Sequence, residues 1–249
     1  MNKHDNPQEL VRRFSPWAVF QHSSMIVLFV VLLISGLPQK WPHAEISRRL
    51  IELQGGIFAA RFIHRVAGLV FAGLTVLHLG VAVTMVLTRR WKATMMITRQ
   101  DVRDTLHNLR WYFGKTAKPP KFGRYDYRQK YEYWGLIFGG MVMIGSGLVL
   151  LFPIVLSRVL PAELIPAAKV MHSNEALLAT LIILVWHLYG AHLNPEVFPM
   201  DTCMFTGKIT RERMEHEHAL EYEELYGEAE PADARRDPKD PERPLRLAG

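Results

Sequence analysis

The chain has 249 residues, 49% of them hydrophobic, with 30 Lys and Arg against 24 Asp and Glu and a formal net charge of +6. Its mean hydropathy of +0.02 averages two unlike kinds of sequence, four long apolar runs and the charge-rich segments between them, which excludes an ordinary soluble domain. The single cysteine, Cys203, excludes an internal disulfide framework, a Cys-only zinc site and a cysteine-ligated iron–sulfur cluster, so any cofactor is held by other ligands.

The first run, about 17–37, reads WAVFQHSSMIVLFVVLLISGL, with Pro38 as its expected stop. It is too long for a removable signal peptide and no small-residue cleavage site follows it, so it is expected to stay in the mature protein. The second run, 56–87, is long enough to tilt or to extend past the bilayer. The third, 131–152, ends at Pro153, and the fourth, 170–192, ends before Asn194-Pro195. Each has the roughly 20 residues that a helix needs to cross a hydrocarbon core. Each is expected to be helical, because an isolated spanning segment must satisfy its own backbone hydrogen bonds. The fold class is therefore all-α, an integral membrane four-helix bundle, with residues 1–193 as the transmembrane domain and 194–249 as a tail.

Twenty-three Lys and Arg lie in the N-terminal segment, the loop between spans two and three and the tail, against six on the opposite side. The positive-inside tendency makes both termini and that long loop cytoplasmic. The sequence pI near 9.5 then reflects topology in preference to nucleic-acid binding. From Arg211 the tail carries many Glu residues, then a Pro- and charge-rich stretch whose last residues, about twenty, read as disordered or ordered by a partner.

Polar side chains inside a bilayer are costly and usually mark function. This chain has His22 in span one, His64 and His78 in span two, and His172 and His187 in span four, with His192 at that span's end. Following the chain direction, His64 and His172 lie at outer depth, and His22, His78, His187 and His192 at inner depth. His64 and His78 are 14 residues apart and His172 and His187 are 15, about 21 and 22 Å along a helix, with net rotations of roughly −40° and +60°. Each pair thus stays near one helix face and spans most of the hydrocarbon thickness, an arrangement suited to two haems stacked across the membrane. Imidazole is a good haem ligand, and two per iron fill both axial positions, which suits electron transfer. His64 and His172 are the only outer candidates within the spans, whereas four inner histidines compete for one iron.

At these residues the chain resembles the membrane cytochrome b (gamma) subunit of respiratory formate dehydrogenases, in the wider family that includes the cytochrome b of nickel–iron hydrogenases. The similarity runs from about Phe14 to Tyr222. It rests on His22 near the start of the first apolar run, His64-x-x-x-Gly68, Gln129-Lys130 followed by Trp134, His172 with His187-Leu188-Tyr189, and Gly207-Lys208-Ile209-Thr210 with His218 and Tyr222 downstream. The resemblance implies His22 with His187 as axial ligands of an inner haem b, and His64 with His172 as those of an outer one. The His172–His187 interval is one residue longer than the family pattern, and His78 is an additional histidine at inner depth, the alternative inner ligand or a lining residue of a quinone pocket.

The resemblance also implies quinone exchange near the cytoplasmic face, at the stretch Arg124–Lys130. Asp126 falls where the family has a polar quinone contact, and Asp126 and Gln129 are the candidates to supply or accept protons. Arg65, beside His64, pairs with a haem propionate or snorkels to the interface. The segment His192–Asp201 is more like cytochrome b proteins that partner multihaem c-type cytochromes, and is placed to cover the inner haem or the quinone pocket. The expected function is that of a dihaem cytochrome b subunit in the inner membrane of a prokaryote. It would relay electrons between a quinone, menaquinone or ubiquinone, and an outer-side subunit carrying iron–sulfur clusters or c-type haems. That subunit is expected to dock on the outer loops at 38–55 and 154–168. The competing readings are a haem-free proton-coupled transporter, which predicts internal repeats with interrupted helices, and a membrane-anchoring subunit without haem.

Overall fold

The structure, a computed structural model, describes residues 8–195 and 197–227; the tail end read above as disordered lies outside the described residues. In chain order the elements are β1 (Leu10–Arg12), α1 (Pro16–Lys40), α2 (Glu45–Leu53), α3 (Ile57–Leu87), α4 (Arg99–Tyr112), α5 (Tyr127–Leu151), α6 (Pro153–Leu156) and α7 (Leu164–Leu181). α7 runs on through π-helical stretches at Ile182–His187 and Tyr189–Leu193, followed by α8 (Cys203–Thr206), β2 (Lys208–Thr210), α9 (Arg211–Glu217) and α10 (Ala219–Tyr226). Among the described residues, four helices are long and apolar enough to cross a membrane, Pro16–Lys40, Ile57–Leu87, Tyr127–Leu151 and Leu164–Leu193. These are the four expected spans of an all-α membrane bundle.

Three boundaries differ from the sequence reading: the fourth spanning helix starts at Leu164, ahead of the expected 170, and the other two differ for identifiable reasons. Pro38 does not stop the first span, since α1 continues to Lys40. Proline removes the one N–H that would have bonded the Ile34 carbonyl, and Gln54 supplies a substitute, donating its side-chain Nε2 to Ile34 O at 3.2 Å. The third helix starts at Tyr127, ahead of its apolar run. Asp126 caps it reciprocally: its Oδ1 accepts from the Gln129 N–H at 2.8 Å while Gln129 Oε1 accepts from the Asp126 N–H at 3.1 Å. Such a cap satisfies two otherwise orphaned donors and carries the helix through polar residues.

The chain folds as two compact units, one of residues 16–93 and 132–205, the other drawing its described parts from 8–15, 94–131 and 206–227. In the first, α1 packs against α2, α3 and α7. Its buried positions are small or hydroxyl-bearing, among them Ser35, Ala60, Ala67, Thr75, Ser146 and Thr180, whereas Phe58, Phe62, Val76 and Val185 are exposed. This inverts a soluble core and matches helices that approach through small residues and leave their large apolar side chains to lipid.

The second unit has a polar core. β1 and β2 pair antiparallel, with Val11 opposite Ile209, and Gly207, at φ 73, offers its carbonyl to the N–H groups of Arg13 and Phe14 at 2.9 and 3.1 Å. Arg13 donates to Glu221 at 2.9 Å, and Arg124 donates to the same carboxylate at 2.5 Å and to the Arg13 carbonyl at 2.7 Å. A buried charge cluster of this kind holds only while all its partners are present. Asp101 accepts from Lys130 Nζ and from the Thr98 N–H, both at 2.7 Å. Burial opposes its charge, yet these partners hold its carboxyl below the usual carboxylate range. His218 donates from Nδ1 to the Gly123 carbonyl at 2.9 Å. Burial, with the Arg13 cation nearby, pushes its pKa down to about 4, so it is neutral at pH 7.

Candidate functional site

The membrane unit brings four of the intramembrane histidines together as two facing pairs. His64 on α3 meets His172 on α7 with ring centroids 6.1 Å apart and planes at 83°. His22 on α1 meets His187, at the end of the first π-helical stretch, with centroids 6.2 Å apart and planes at 48°. Two imidazoles bound to opposite faces of one iron have centroids about 6 Å apart, since each metal–nitrogen bond is about 2 Å and each ring adds about 1 Å. Both pairs fit that spacing. Among the described residues no group of three or more His, Cys, Asp or Glu is placed to hold a metal ion. A two-histidine set suits a metal that brings its own equatorial ligands, as haem iron does.

The outer pair is supported by a repeated device. Ser35 Oγ on α1 donates to the Val31 carbonyl at 2.6 Å and accepts from His64 Nδ1 at 3.1 Å. Ser146 Oγ on α5 donates to the Val142 carbonyl at 2.6 Å and accepts from His172 Nδ1 at 3.0 Å. Tying Nδ1 fixes each ring's orientation and tautomer and leaves Nε2 for a metal. The residue after each serine is a glycine lying against the same ring. A Cβ on Gly36 would fall 2.6 Å from His64 Cε1, and one on Gly147 would fall 3.2 Å from His172 Cε1. The serines hold the imidazoles and the glycines make room for them.

The inner pair is built differently. His187 Nδ1 donates to Glu132 Oε1 on α5 at 2.5 Å, whereas His22 Nδ1 is buried without a hydrogen-bond partner among the described residues. The ring of Phe205 lies 6.4 Å from that of His22 and stacks at 6.5 Å on His192, whose Nδ1 is likewise buried and unpartnered. The chain after the fourth span folds back to reach this place, with the Asp201 N–H on the Ala191 carbonyl at 3.0 Å. His78 is engaged at both ring nitrogens, with Tyr133 Oη at 2.9 Å and Gln21 Oε1 at 3.4 Å, and stands apart from both facing pairs.

The 15-residue interval from His172 to His187 includes a π-helical turn at Ile182–His187. A π-turn closes its hydrogen bond over i→i+5 and so takes up one residue more than an α-turn. Fifteen residues then advance the helix like fourteen, roughly −40° in place of +60°, which keeps His187 on the face that carries His172.

Arg65 is exposed beside His64 and makes no hydrogen bond or ion pair among the described residues. Asp126 is buried, with Oδ2 accepting from Arg128 Nη2 at 2.7 Å and Oδ1 engaged in the helix cap. Gln129 uses its Oε1 and backbone N–H in that cap and keeps its amide Nε2 free of partners among the described residues. Sequence reasoning missed Glu132, the two Ser-Gly pairs and Phe205. The signal for the serines is the tripeptide Ser-Gly-Leu, present at Ser35–Leu37 and again at Ser146–Leu148, each at outer depth. Glu132 announces itself as a carboxylate entering a span at the depth of His187.

The family model described as prokaryotic cytochrome b561 matches residues 13–202. The chain belongs to that family. It is a multi-pass membrane b-type cytochrome that binds haem b and serves electron transfer, as expected from its resemblance to the hydrogenase and formate dehydrogenase cytochromes. A search of curated proteins gave no match.

Proposed function

We propose that this cytochrome b561 is a dihaem electron relay in the cytoplasmic membrane, passing electrons between a quinone near the cytoplasmic face and a redox subunit on the outer face. The observation that carries this reading is the pair of facing histidine couples at 6.1 and 6.2 Å. His64 and His172 are assigned as axial ligands of the outer haem and His22 and His187 as those of the inner one. His78, occupied at both nitrogens, is the less suitable inner ligand. When bound, a haem with two axial histidines supplies one-electron storage with no open position for substrate. The chain's own residues orient the imidazoles, through Ser35, Ser146 and Glu132, and enclose them among apolar helices. Arg65, exposed and without an ion-pair partner among the described residues, is assigned to a propionate of the outer haem.

For the quinone, Gln129 offers its free Nε2 as a donor to a carbonyl oxygen, and Asp126 positions Gln129 through the reciprocal cap. The outer partner, carrying iron–sulfur clusters or c-type haems, is assigned to the outer loops, where Ile46, Leu53, Ile154 and Val159 expose apolar surface.

The test is a dithionite-reduced minus oxidised spectrum of the purified chain with a pyridine haemochrome count, followed by exchange of electrons with a quinol analogue. Two b haems per chain are expected, with His78→Ala retaining both and Gln129→Ala slowing quinol exchange at an unchanged count. A chain without haem, from membranes with ample haem supply, would contradict the relay and bring forward the transporter and anchor readings.

A further inference from the structure

The two histidine pairs differ in what stands behind them, and the difference is one of charge. Both outer imidazoles give their Nδ1 proton to neutral hydroxyls, Ser35 at 3.1 Å and Ser146 at 3.0 Å. In the inner pair, His187 gives its Nδ1 proton to the Glu132 carboxylate at 2.5 Å, and His22 Nδ1 has no acceptor among the described residues. Glu132 makes no other ion pair among the described residues, so its charge is not offset by a lysine or arginine. Its side chain is only 15% exposed, which limits screening by water.

Hydrogen bonding of an axial histidine to a carboxylate raises the basicity of the nitrogen that binds the metal, and axial-ligand electronics and nearby charge set haem potential. Both effects favour the ferric state. Two serines contribute two neutral hydrogen bonds and no net charge, whereas Glu132 contributes one charge-assisted bond, the stronger kind, together with a full negative charge one imidazole away from the iron position. We propose that Glu132 is a positioning residue that lowers the potential of the haem held by His22 and His187 below that of the haem held by His64 and His172, making the outward direction the downhill one.

This inference rests on the dihaem reading above and adds a direction to it. A quinol oxidised to quinone at the inner side gives up two electrons and two protons, the protons passing to cytoplasmic water. The groups that His22 with His187 and His64 with His172 would hold would pass the electrons on one at a time, in that order, to an oxidised one-electron carrier, a haem or an iron–sulfur centre, on the outer subunit.

The experiment is a potentiometric titration of the reduced α-band on the full-length protein. Wild type should titrate as two one-electron waves, and His64→Ala, which removes the outer haem, should retain the lower one. Glu132→Gln should raise that lower wave by at least a tenfold change in the reduced-to-oxidised ratio at fixed ambient potential, 59 mV for a one-electron couple, and leave the upper wave in place. Glu132→Asp, which keeps the carboxylate, should restore most of the difference. Ser146→Ala should move the upper wave by less than a threefold change in that ratio. If Glu132→Gln does not retain its inner haem, the wild-type order and the Glu132→Asp titration still decide the matter. An inner wave that lies above the outer one, or that stays put in Glu132→Gln, overturns the inference while a count of two haems keeps the relay reading. A count below two overturns the relay reading itself.

Discussion

The outer and inner histidine pairs each present two facing imidazoles at nearly the same centroid spacing, 6.1 and 6.2 Å, in unlike settings. The outer site is close to a repeated arrangement: one Ser-Gly pair on α1 and another on α5 each hold and accommodate one imidazole. The inner site has no such repeat. One of its rings is held by a carboxylate, the other has a buried nitrogen without a partner among the described residues, an aromatic ring from beyond the fourth span lies against it, and a π-helical turn sets its register. Ligand identity determines that a metal group is held, and the surroundings determine how tightly and at what potential.

The comparison breaks most completely through the ligands. Alanine at His64 or His172 should remove one haem per chain by pyridine haemochrome count, and alanine at His22 or His187 should remove the other, with no variant removing both. The helical register should matter only for the inner site. An alanine inserted after Leu181 adds roughly 100° of rotation and should cost the inner haem alone. Deleting Ile183, which converts the π-turn to an α-turn, should leave the count at two.

The glycines sharpen the contrast on the outer side. Gly36→Ala brings a methyl within 2.6 Å of the His64 ring, against 3.2 Å for Gly147→Ala at His172. The first should deplete the outer haem strongly and the second slightly, both without effect on the inner α-band. Ser35→Ala and Ser146→Ala remove supporting hydrogen bonds. Each should weaken outer-haem retention by about tenfold, the lower end of the usual cost for such partners, measured by haem transfer to an apo-globin acceptor.

Acid should separate the polar unit from both sites. His218 has a folded pKa of about 4 against an ordinary 6.5, so the neutral form is favoured by the fold. Its contribution is complete above pH 6.5 and is lost as pH falls toward 4, amounting to roughly 3 kcal/mol at most. Hydrogen exchange of 208–222, corrected for intrinsic rates, should rise across that window, and His218→Gln should flatten the dependence. Haem count should not change over the same range.

Much of this was legible in the sequence because bilayer physics is restrictive. Four apolar runs give four helices, and histidines within them are too costly to be ornamental, which singles out His64 and His172 by depth alone. The inner set was ambiguous for a physical reason: four histidines share one depth, and the linear spacing from His172 to His187 hides a π-turn that no periodicity count detects. Pro38 misled because a side chain from the turn after α2, Gln54, replaces the bond that proline removes. The polar unit was least visible. It is assembled from three distant segments by Arg13, Arg124, Glu221 and a two-stranded ladder, and each of these reads in isolation as part of a charged loop or tail.

The central claim, that each facing pair holds one haem of its own, is tested most directly by low-temperature electron paramagnetic resonance of the oxidised protein and its single-histidine variants. Two low-spin ferric signals are predicted in wild type, one lost in His64→Ala and the other in His187→Ala, with His78→Ala retaining both. A single low-spin signal in wild type, or loss of the same signal in the two ligand variants, would contradict the assignment.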